Sequence, residues 1–151
     1  MIKWIFSKEI IEMKNTNDIL DELQNAGSED KLDSIIKDNS YKTYTFSEYY
    51  NNLLESKGIP VKKVIKDSAI SRTYAYQLVS GVRQPGRDNA LALCIAAGLD
   101  LDETNRCLTI LKLGVLYPKD KRDAVIIYAI KSGFTAEETN NLLYKKEMQE
   151  L

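Results

Sequence analysis

The side chains that could do chemistry in this sequence are concentrated in a basic segment, residues 57–87. The segment has seven cationic side chains and one anionic side chain, a net charge of +6, whereas the rest of the chain has a net charge of −7. Lysine and arginine neutralise the phosphates of nucleic acid, and arginine and glutamine also pair with base edges. The alternative is that these cations are solvated residues on the outer faces of amphipathic helices. The fold of the segment therefore has to decide between the two interpretations.

The amino-acid composition gives little support for catalysis, metal binding or disulfide formation. The chain has no histidine, which is the usual general base and the commonest metal ligand. Its two cysteines, Cys94 and Cys107, form no C-x-x-C motif, so we expect neither a disulfide framework nor a metal site. No apolar run approaches the roughly 18 residues of a membrane span. We therefore expect a cytoplasmic protein that is not an enzyme, has no cofactor or metal, and does not enter a membrane.

Apolar residues recur at intervals of three and four along nearly the whole chain, which indicates an all-α protein. Hydrophobic residues make up 44% of the 151 residues and charged residues 28%, as in globular domains. We predict a leader over 1–14, an N-terminal helical hairpin with a connector over 15–44, a helical domain over 45–116, and a C-terminal helical hairpin over 117–151. Met13 is an alternative start residue.

The N-terminal hairpin lies in an acidic part of the chain, since residues 1–56 have a net charge of −5. The apolar stripes of its two predicted helices are Ile19, Leu20 and Leu23, and Leu32, Ile35 and Ile36. We predict that Gly27 ends the first helix and that Ser28 caps the second. The acidic surface makes this hairpin a candidate site for a protein partner.

The strongest internal signal is a repeat at an offset of 35 residues. Residues 87–116 and 122–151 align without a gap and are identical at 9 of 30 positions. The pattern predicts one helical hairpin present twice, by duplication or by convergence on one packed unit. Its predicted features are N-terminal caps at Asp88 and Asp123, left-handed glycines at Gly98 and Gly133, and capping boxes at Asp100/Glu103 and Thr135/Glu138.

Two further expectations follow from the repeat. The shared Arg-Asp opening, Arg87-Asp88 and Arg122-Asp123, is predicted to form an ion pair within each hairpin rather than to contact DNA. The first helix of the second hairpin, residues 124–130, is apolar almost all round and is predicted to be buried between its neighbours.

The basic segment follows a helix that Thr45 and Glu48 open with a capping box and that Gly58 ends. The buried side of this helix is predicted to be Tyr50, Leu53 and Leu54. A second helix over 61–68, a turn over 69–71 and a third helix over 72–80 come next. In this order we expect Ala69 to be the small residue where the two helices cross, Ile70 to fill the wedge between them, and Ser71 to cap the third helix.

From Leu53 to Glu103, the order of caps, apolar positions and glycines resembles the Cro/lambda-repressor-like, or XRE, family of helix-turn-helix proteins. The resemblance runs without a gap through Gly58-Ile59, the turn Ala69-Ile70-Ser71, Gly81, Pro85 and Gly98-Leu-Asp-Leu-Asp-Glu103. It implies an all-α, lambda-repressor-like core framed by the two hairpins, with residues 71–80 as the recognition helix. Val61 and Ser68 depart from the family pattern, which usually has a phosphate-clamping glutamine and an apolar residue at these positions.

The third helix is predicted to bury one face and to expose the other. Its predicted buried face is Ala75, Leu78, Val79 and Val82, and Tyr74 is expected to pack as well. In helix-turn-helix docking the outward residues near the helix start meet base edges; here they are Arg72, Thr73, Tyr76 and Gln77. The predicted phosphate contacts are Lys62, Lys63, Lys66, Ser71 and Arg83. For each of these residues a solvated surface position is the alternative.

The resemblance therefore favours a sequence-specific regulator of transcription that binds double-stranded DNA. Members of the family are typically dimers, and we expect a homodimer through 117–151, around Tyr117, Phe134, Leu142, Leu143 and Met148. The alternative is that these residues only cover the core of a monomer. The main alternative is a non-catalytic interaction module, an adaptor or antitoxin-like partner, which keeps the fold without reading DNA; the acidic flanks and Val61 favour it. RNA binding ranks third, because no RNA-binding signature is present.

Overall fold

A computed structural model of the protein describes residues 16–39 and 44–151. The predicted leader over 1–14 lies outside these residues. The chain divides into two compact units, Met1–Tyr44 and Thr45–Leu151. All regular structure in the described ranges is helical, which confirms the all-α prediction. None of the described helices is long and apolar enough to cross a membrane.

In the N-terminal unit, α1 (Thr16–Gln24) packs against α2 (Glu29–Asn39). The Ser28 hydroxyl accepts a hydrogen bond from the Lys31 amide at 3.2 Å, so Ser28 caps α2 as predicted. Helix α1 ends at Gln24, three residues before the predicted end at Gly27. Ile35 is buried, whereas Leu20 and Ile36 are about half exposed. The two predicted apolar stripes are therefore only partly covered.

The C-terminal unit contains seven helices: α3 (Phe46–Ser56), α4 (Val61–Asp67), α5 (Arg72–Ser80), α6 (Arg87–Ala96), α7 (Leu101–Ile110), α8 (Lys121–Lys131) and α9 (Ala136–Lys145). Helix α6 is central: α4, α7 and α9 all pack against it, and every residue from Ala90 to Ala96 is buried. Helix α3 packs against α5 and α7, and α4 packs against α5. The predicted buried side of α3, Tyr50, Leu53 and Leu54, is confirmed.

The three predicted capping boxes are all present. They open α3 with Thr45 and Glu48, α7 with Asp100 and Glu103, and α9 with Thr135 and Glu138. In each box the side chain of the cap accepts from the amide three residues on, at 3.2, 2.8 and 3.1 Å. The glutamate in turn accepts from the amide of the cap residue, so two otherwise unpaired backbone donors are satisfied.

The two C-terminal hairpins, α6–α7 and α8–α9, have equivalent backbones. Gly98 and Gly133 have φ of 65° and 70°, which confirms the predicted left-handed glycines. The equivalence extends beyond the glycines, because the side-chain oxygen of Asn105 accepts from the Leu116 amide at 2.9 Å, and that of Asn140 accepts from the Leu151 amide at 2.8 Å. One structural unit therefore occurs twice at the predicted offset.

The hairpins contact each other reciprocally. The first helix of each packs against the second helix of the other, α6 on α9 and α8 on α7. Equivalent residues supply a shared apolar core: Leu91 and Ile126, Leu108 and Leu143, with Leu116 and Leu151. A contact in which residue i meets j and j meets i defines a two-fold arrangement. The hairpins are therefore related by an approximate two-fold axis and not by the translation of a helical solenoid.

The shared Arg-Asp opening joins the two hairpins, so the prediction of an ion pair within each hairpin was wrong. The Arg87 guanidinium forms a bidentate pair with Asp123 at 2.9 and 2.8 Å, and Arg122 pairs with Asp88 at 2.8 Å. The prediction that Asp88 and Asp123 are N-caps was also wrong. Both lie inside the first turn of their helices, and the N-cap positions belong to Gly86 and Asp120.

Three burial predictions were also wrong. Val82 is 73% exposed, because α5 ends at Gly81 in the left-handed conformation and the helical periodicity stops there. Ala69 is exposed with a φ of 60°, and the small buried residue beside the turn is Ser68. Tyr128 is 59% exposed, so α8 has a solvent-exposed position within 124–130 and is not buried all round.

Candidate nucleic-acid interface

The four predicted base-reading residues lie together on the first half of α5. Arg72, Thr73 and Tyr76 are exposed and Gln77 is half-buried, and their spacing places them in one band along the outward side of the helix. The Arg72 guanidinium lies 5.8 Å from the centre of the Tyr76 ring, a cation–π contact. The band therefore presents a guanidinium, a hydroxyl, a phenol and a carboxamide at the start of a helix.

The opposite side of α5 fixes the helix to the rest of the unit. Ala75, Leu78 and Val79 are buried, as predicted, and Tyr74 is half-buried beside them. Because the apolar residues are held in the core, the outward band cannot turn inward. The helix therefore has one packed face and one face that is free to meet a ligand.

The C-terminal end of α5 is held by two polar residues of α3 that the sequence interpretation missed. The Val79 carbonyl accepts from the Ser47 hydroxyl at 2.7 Å and from the Asn51 amide group at 2.8 Å. Carbonyls in the last turn have no partner within their helix, so these bonds satisfy one of them. The signal available in the sequence was a polar pair at a spacing of four on the otherwise buried side of α3.

Gly81 is required where α5 meets α3. Its φ is 85°, and a Cβ at this position would lie 3.1 Å from the Ser47 Cβ. A side chain would therefore be strained by the backbone conformation and would also make a tight contact that Ser47 of α3 has to relieve by shifting. Glycine allows α5 to stop here and lets the chain turn towards Arg83, whose amide donates to the Gln77 carbonyl at 3.1 Å.

The turn between α4 and α5 is closed by its own side chains. The buried Ser68 hydroxyl donates to the Ile65 carbonyl at 3.0 Å and accepts from the Ile70 amide at 3.3 Å. Ile70 is half-buried, consistent with the predicted wedge. Ser71 occupies the N-cap position of α5, but its hydroxyl makes no capping hydrogen bond. That hydroxyl and the first amides of α5 are therefore available to an anionic group.

The predicted phosphate contacts flank α5 on both sides. Lys62, Lys63 and Lys66 are exposed on α4, and Arg83 is exposed in the loop after α5. Within the described ranges only Lys63 of these four has an ion-pair partner, Asp67 at 3.6 Å, and both members are largely solvated. Such a pair contributes at most about 1 kcal/mol and gives way easily to a stronger anion.

Two other cations of the basic segment are used inside the protein. Lys57 pairs with Glu103 at 3.2 Å, which ties the end of α3 to the start of α7. Arg87 is occupied by Asp123 and also donates to the Gly114 and Val115 carbonyls. The part of the +6 charge that remains for a ligand is therefore concentrated on α4, the start of α5 and the following loop.

The two cysteines are not part of this surface. Cys94 and Cys107 are free and fully buried, facing each other from α6 and α7. A hydrogen bond with Cys107 and burial both raise the pKa of the Cys94 thiol. A raised pKa keeps the thiol protonated, and a protonated thiol is a poor nucleophile and a poor metal ligand. The pair therefore belongs to the packing of the core.

Comparison of the chain with protein-family models, with curated proteins and with solved structures gave no match. The interface is thus defined by the residues of this chain alone: an outward band on α5, flanking cations on α4 and after α5, and a core that holds α5 in one orientation.

Proposed function

We propose that this chain is a non-catalytic, cytoplasmic regulator of transcription that binds double-stranded DNA, with α5 in the major groove. The observation that carries the proposal is the outward band of Arg72, Thr73, Tyr76 and Gln77 on a helix whose other side is buried. A helix in the major groove needs polar side chains near its start and a rigid support behind it.

The order of helices α3 to α7 supports a lambda-repressor-like helix-turn-helix core. In this interpretation α4 and α5 are the two helices of the motif, and α3, α6 and α7 form the platform on which they rest. Gly81 and the bonds from Ser47 and Asn51 fix the end of the recognition helix, which sets the angle at which its first turns would enter the groove.

The two groups of polar residues would make different kinds of contact with DNA. Arg72 and Gln77 can form paired hydrogen bonds with guanine and adenine edges, and Thr73 and Tyr76 can contact a base edge or the thymine methyl group. Lys62, Lys63, Lys66, Ser71 and Arg83 would contact phosphates, which position a protein on the duplex without reading sequence. The net charge of the C-terminal unit, +2, is compatible with an anionic ligand.

A homodimer through residues 117–151 belongs to the proposal, because a single recognition helix is a weak reader of sequence. Of the predicted contact residues, Tyr117 is exposed and Phe134 and Leu142 are half-buried. Leu143 is fully buried in the shared core, and Leu142 and Met148 both pack against it, so in a single chain these three residues contact the chain's own first hairpin. Tyr128 and Tyr144 add exposed aromatic surface that the sequence interpretation did not include.

The experiment is a selection of preferred sites from random duplexes, followed by titrations at several salt concentrations. Arg72→Ala should weaken binding at the preferred site by about 1–3 kcal/mol and relax the choice of base. Lys62→Ala should weaken binding to all duplexes alike and reduce the salt slope by about one unit. Lys63→Ala should have a smaller effect than Lys62→Ala, because part of the Lys63 charge is already balanced by Asp67.

The matched control is Lys31→Ala, which removes an exposed cation of α2 that belongs neither to the proposed DNA interface nor to residues 117–151. Thermal unfolding of each variant separates loss of binding from loss of fold. Equal losses on every sequence from Arg72→Ala and Lys62→Ala would contradict the division into base and phosphate contacts. Absence of binding to any duplex at low salt would overturn the proposal.

The second candidate is a protein-interaction module, and the N-terminal unit favours it. Helices α1 and α2 combine a net charge of −5 over residues 16–39 with large apolar side chains that stay exposed: Leu20, Leu23, Leu32 and Ile36. A polar rim around exposed apolar residues is typical of a contact surface for another protein. A chain that fails to bind DNA but retains a partner when α1 and α2 are intact would support this candidate.

A further inference from the structure

The two ends of the C-terminal hairpin α8–α9 are joined by hydrogen bonds between its own residues. Arg122, at the start of α8, donates to the Gln149 and Glu150 carbonyls at 2.8 and 3.1 Å, which ties the two ends of the hairpin together. Asn140 holds the Leu151 amide, and the Thr135 box caps α9. These bonds stay within residues 121–151, so they are kept whichever copy of the chain supplies the surface on which the hairpin docks.

The surface that receives this hairpin is its near-equivalent. Arg87 holds the Gly114 and Val115 carbonyls as Arg122 holds those of Gln149 and Glu150, and both arginines then reach across the two-fold axis to an aspartate of the other hairpin. The polar connections across the axis are the Arg87–Asp123 and Arg122–Asp88 pairs. Each hairpin therefore recognises the other by contacts that do not depend on both being in the same chain.

A short exposed connector joins the two hairpins. Residues 117–120 are exposed, and the Asp120 amide donates to the Tyr117 carbonyl at 3.0 Å, so the connector folds back as a tight turn. Opening this turn moves α8–α9 away from its own chain without breaking any bond inside either hairpin. Only the connector, the Tyr117 amide bond to Asp123 and the contacts across the axis have to change.

We propose that two copies of this chain exchange their C-terminal hairpins, so that α8–α9 of each chain docks on α6–α7 of the other. The partner is thus a second copy of this chain, and the docking surface is the one that the hairpin covers in the monomer. Such an exchange reproduces every ion pair and apolar contact of the monomer, because both members of each contact are present in every copy. This inference rests on the proposed function, because it states how the two chains of the proposed homodimer are joined. The exchange itself does not require DNA.

Charge reversal provides a test with complete chains. The first variant carries Arg87→Asp and Asp88→Arg; the second carries Arg122→Asp and Asp123→Arg. In a single chain of either variant, positions 87 and 123 have like charges, and so do positions 88 and 122. The same repulsion arises when two copies of one variant exchange hairpins. When the two variants exchange hairpins with each other, each of the two docked surfaces has two ion pairs, and all four pairs join opposite charges. The two variants should therefore form a mixed dimer by exchange, whereas neither should do so alone.

The variants are refolded together from urea, one of them isotopically labelled, and analysed by native mass spectrometry and urea unfolding without DNA. We expect a one-to-one dimer as the main species and an unfolding midpoint about 1 M higher than that of either variant alone. The matched control carries all four substitutions. It restores opposite charges between the hairpins of one chain and between those of two copies. It should therefore refold with the midpoint of the mixture and, like the native chain, exchange hairpins between its own copies.

Two results would overturn the proposal: a mixture that contains no mixed dimer although the fourfold variant folds, or single variants as stable as the fourfold one. A further variant keeps the native charges and lacks Pro118 and Lys119, the two central residues of the turn. It cannot fold its hairpin back and should be a stable dimer. A folded monomer, or a chain that stays unfolded at high concentration, would also overturn the proposal.

Discussion

The carboxylate of Asp123 connects the two C-terminal hairpins, and its replacement by asparagine should destabilise the unit by about 2–3 kcal/mol. The side chain is 9% exposed and accepts two hydrogen bonds from Arg87 and one from the Tyr117 amide. Asparagine has nearly the same shape but only one acceptor oxygen and no charge. One Arg87 nitrogen would then face an amide donor.

The magnitude follows from burial and from the number of bonds. Removing one partner of a buried ion pair costs roughly 3–5 kcal/mol, and we expect a cost at or just below the bottom of this range because the Arg87 side chain is 27% exposed and water can reach it. Asp88 is the matched control, since it is the equivalent residue of the other hairpin. It makes one bond to Arg122 and its side chain is 35% exposed, so Asp88→Asn should cost about 0.5–1 kcal/mol.

The pH dependence gives a second readout. Burial raises the pKa of Asp123, but the hydrogen bonds from Arg87 and from the Tyr117 amide outweigh it, and the pKa lies below its ordinary value of 3.8. Because the folded state then binds the proton less readily than the unfolded state, the stabilisation is complete above pH 3.8 and is lost as the pH falls through the folded pKa.

The assay is urea unfolding followed by far-UV circular dichroism, at neutral pH and at a series of acidic pH values. The difference between the parent chain and Asp123→Asn should shrink as the pH falls below 3.8 and through the lower folded pKa of Asp123, where the parent carboxylate becomes neutral like the asparagine amide. Equal losses from Asp123→Asn and Asp88→Asn, or a loss from Asp123→Asn that stays constant in acid, would refute the reasoning.

Two further substitutions test the supports of α5 and α6. Gly81→Ala should destabilise the unit by about 2 kcal/mol in urea unfolding, because a φ of 85° and a contact of 3.1 Å with the Ser47 Cβ both oppose a side chain. Gly114→Ala, at an open position without positive φ, is its control. Tyr50→Phe should cost about 1–1.5 kcal/mol, since the buried hydroxyl donates to the Leu93 carbonyl at 2.7 Å. Tyr144→Phe, at an exposed hydroxyl, should leave the unfolding midpoint unchanged, and equal effects of the two tyrosine substitutions would contradict the role given to Tyr50.

Local features of the fold could be predicted from the sequence because each depends on residues that are close along the chain. A capping box needs a hydroxyl or carboxylate and a glutamate three residues later, so Thr45 and Glu48 identify the start of α3. A glycine after an apolar helix identifies its end, as at Gly98 and Gly133. The offset of 35 residues likewise predicted two equivalent backbones.

Relations between distant elements could not be predicted in the same way. The Arg-Asp opening is the same in both hairpins, and sequence spacing alone cannot tell whether Arg87 pairs with Asp88 or with an aspartate 36 residues away. Val82 continued the apolar spacing of α5, but the left-handed conformation at Gly81 redirects the chain before it. Ser47 and Asn51 acquire their role only because α3 meets the last turn of α5.

The burial of α6 on all sides has a consequence for how the unit unfolds. Residues Ala90 to Ala96 belong at once to the core beneath α3 and α4 and to the core shared with α9. Because α6 contributes buried residues to both cores, the two cores should unfold cooperatively. If one core opens and α6 loses its place, the other core loses the residues that α6 supplies. The platform of α5 and the terminal hairpin therefore form one thermodynamic unit. A substitution in α8 or α9 lowers the free energy that holds the outward band of α5 in place, even when it changes nothing near that band.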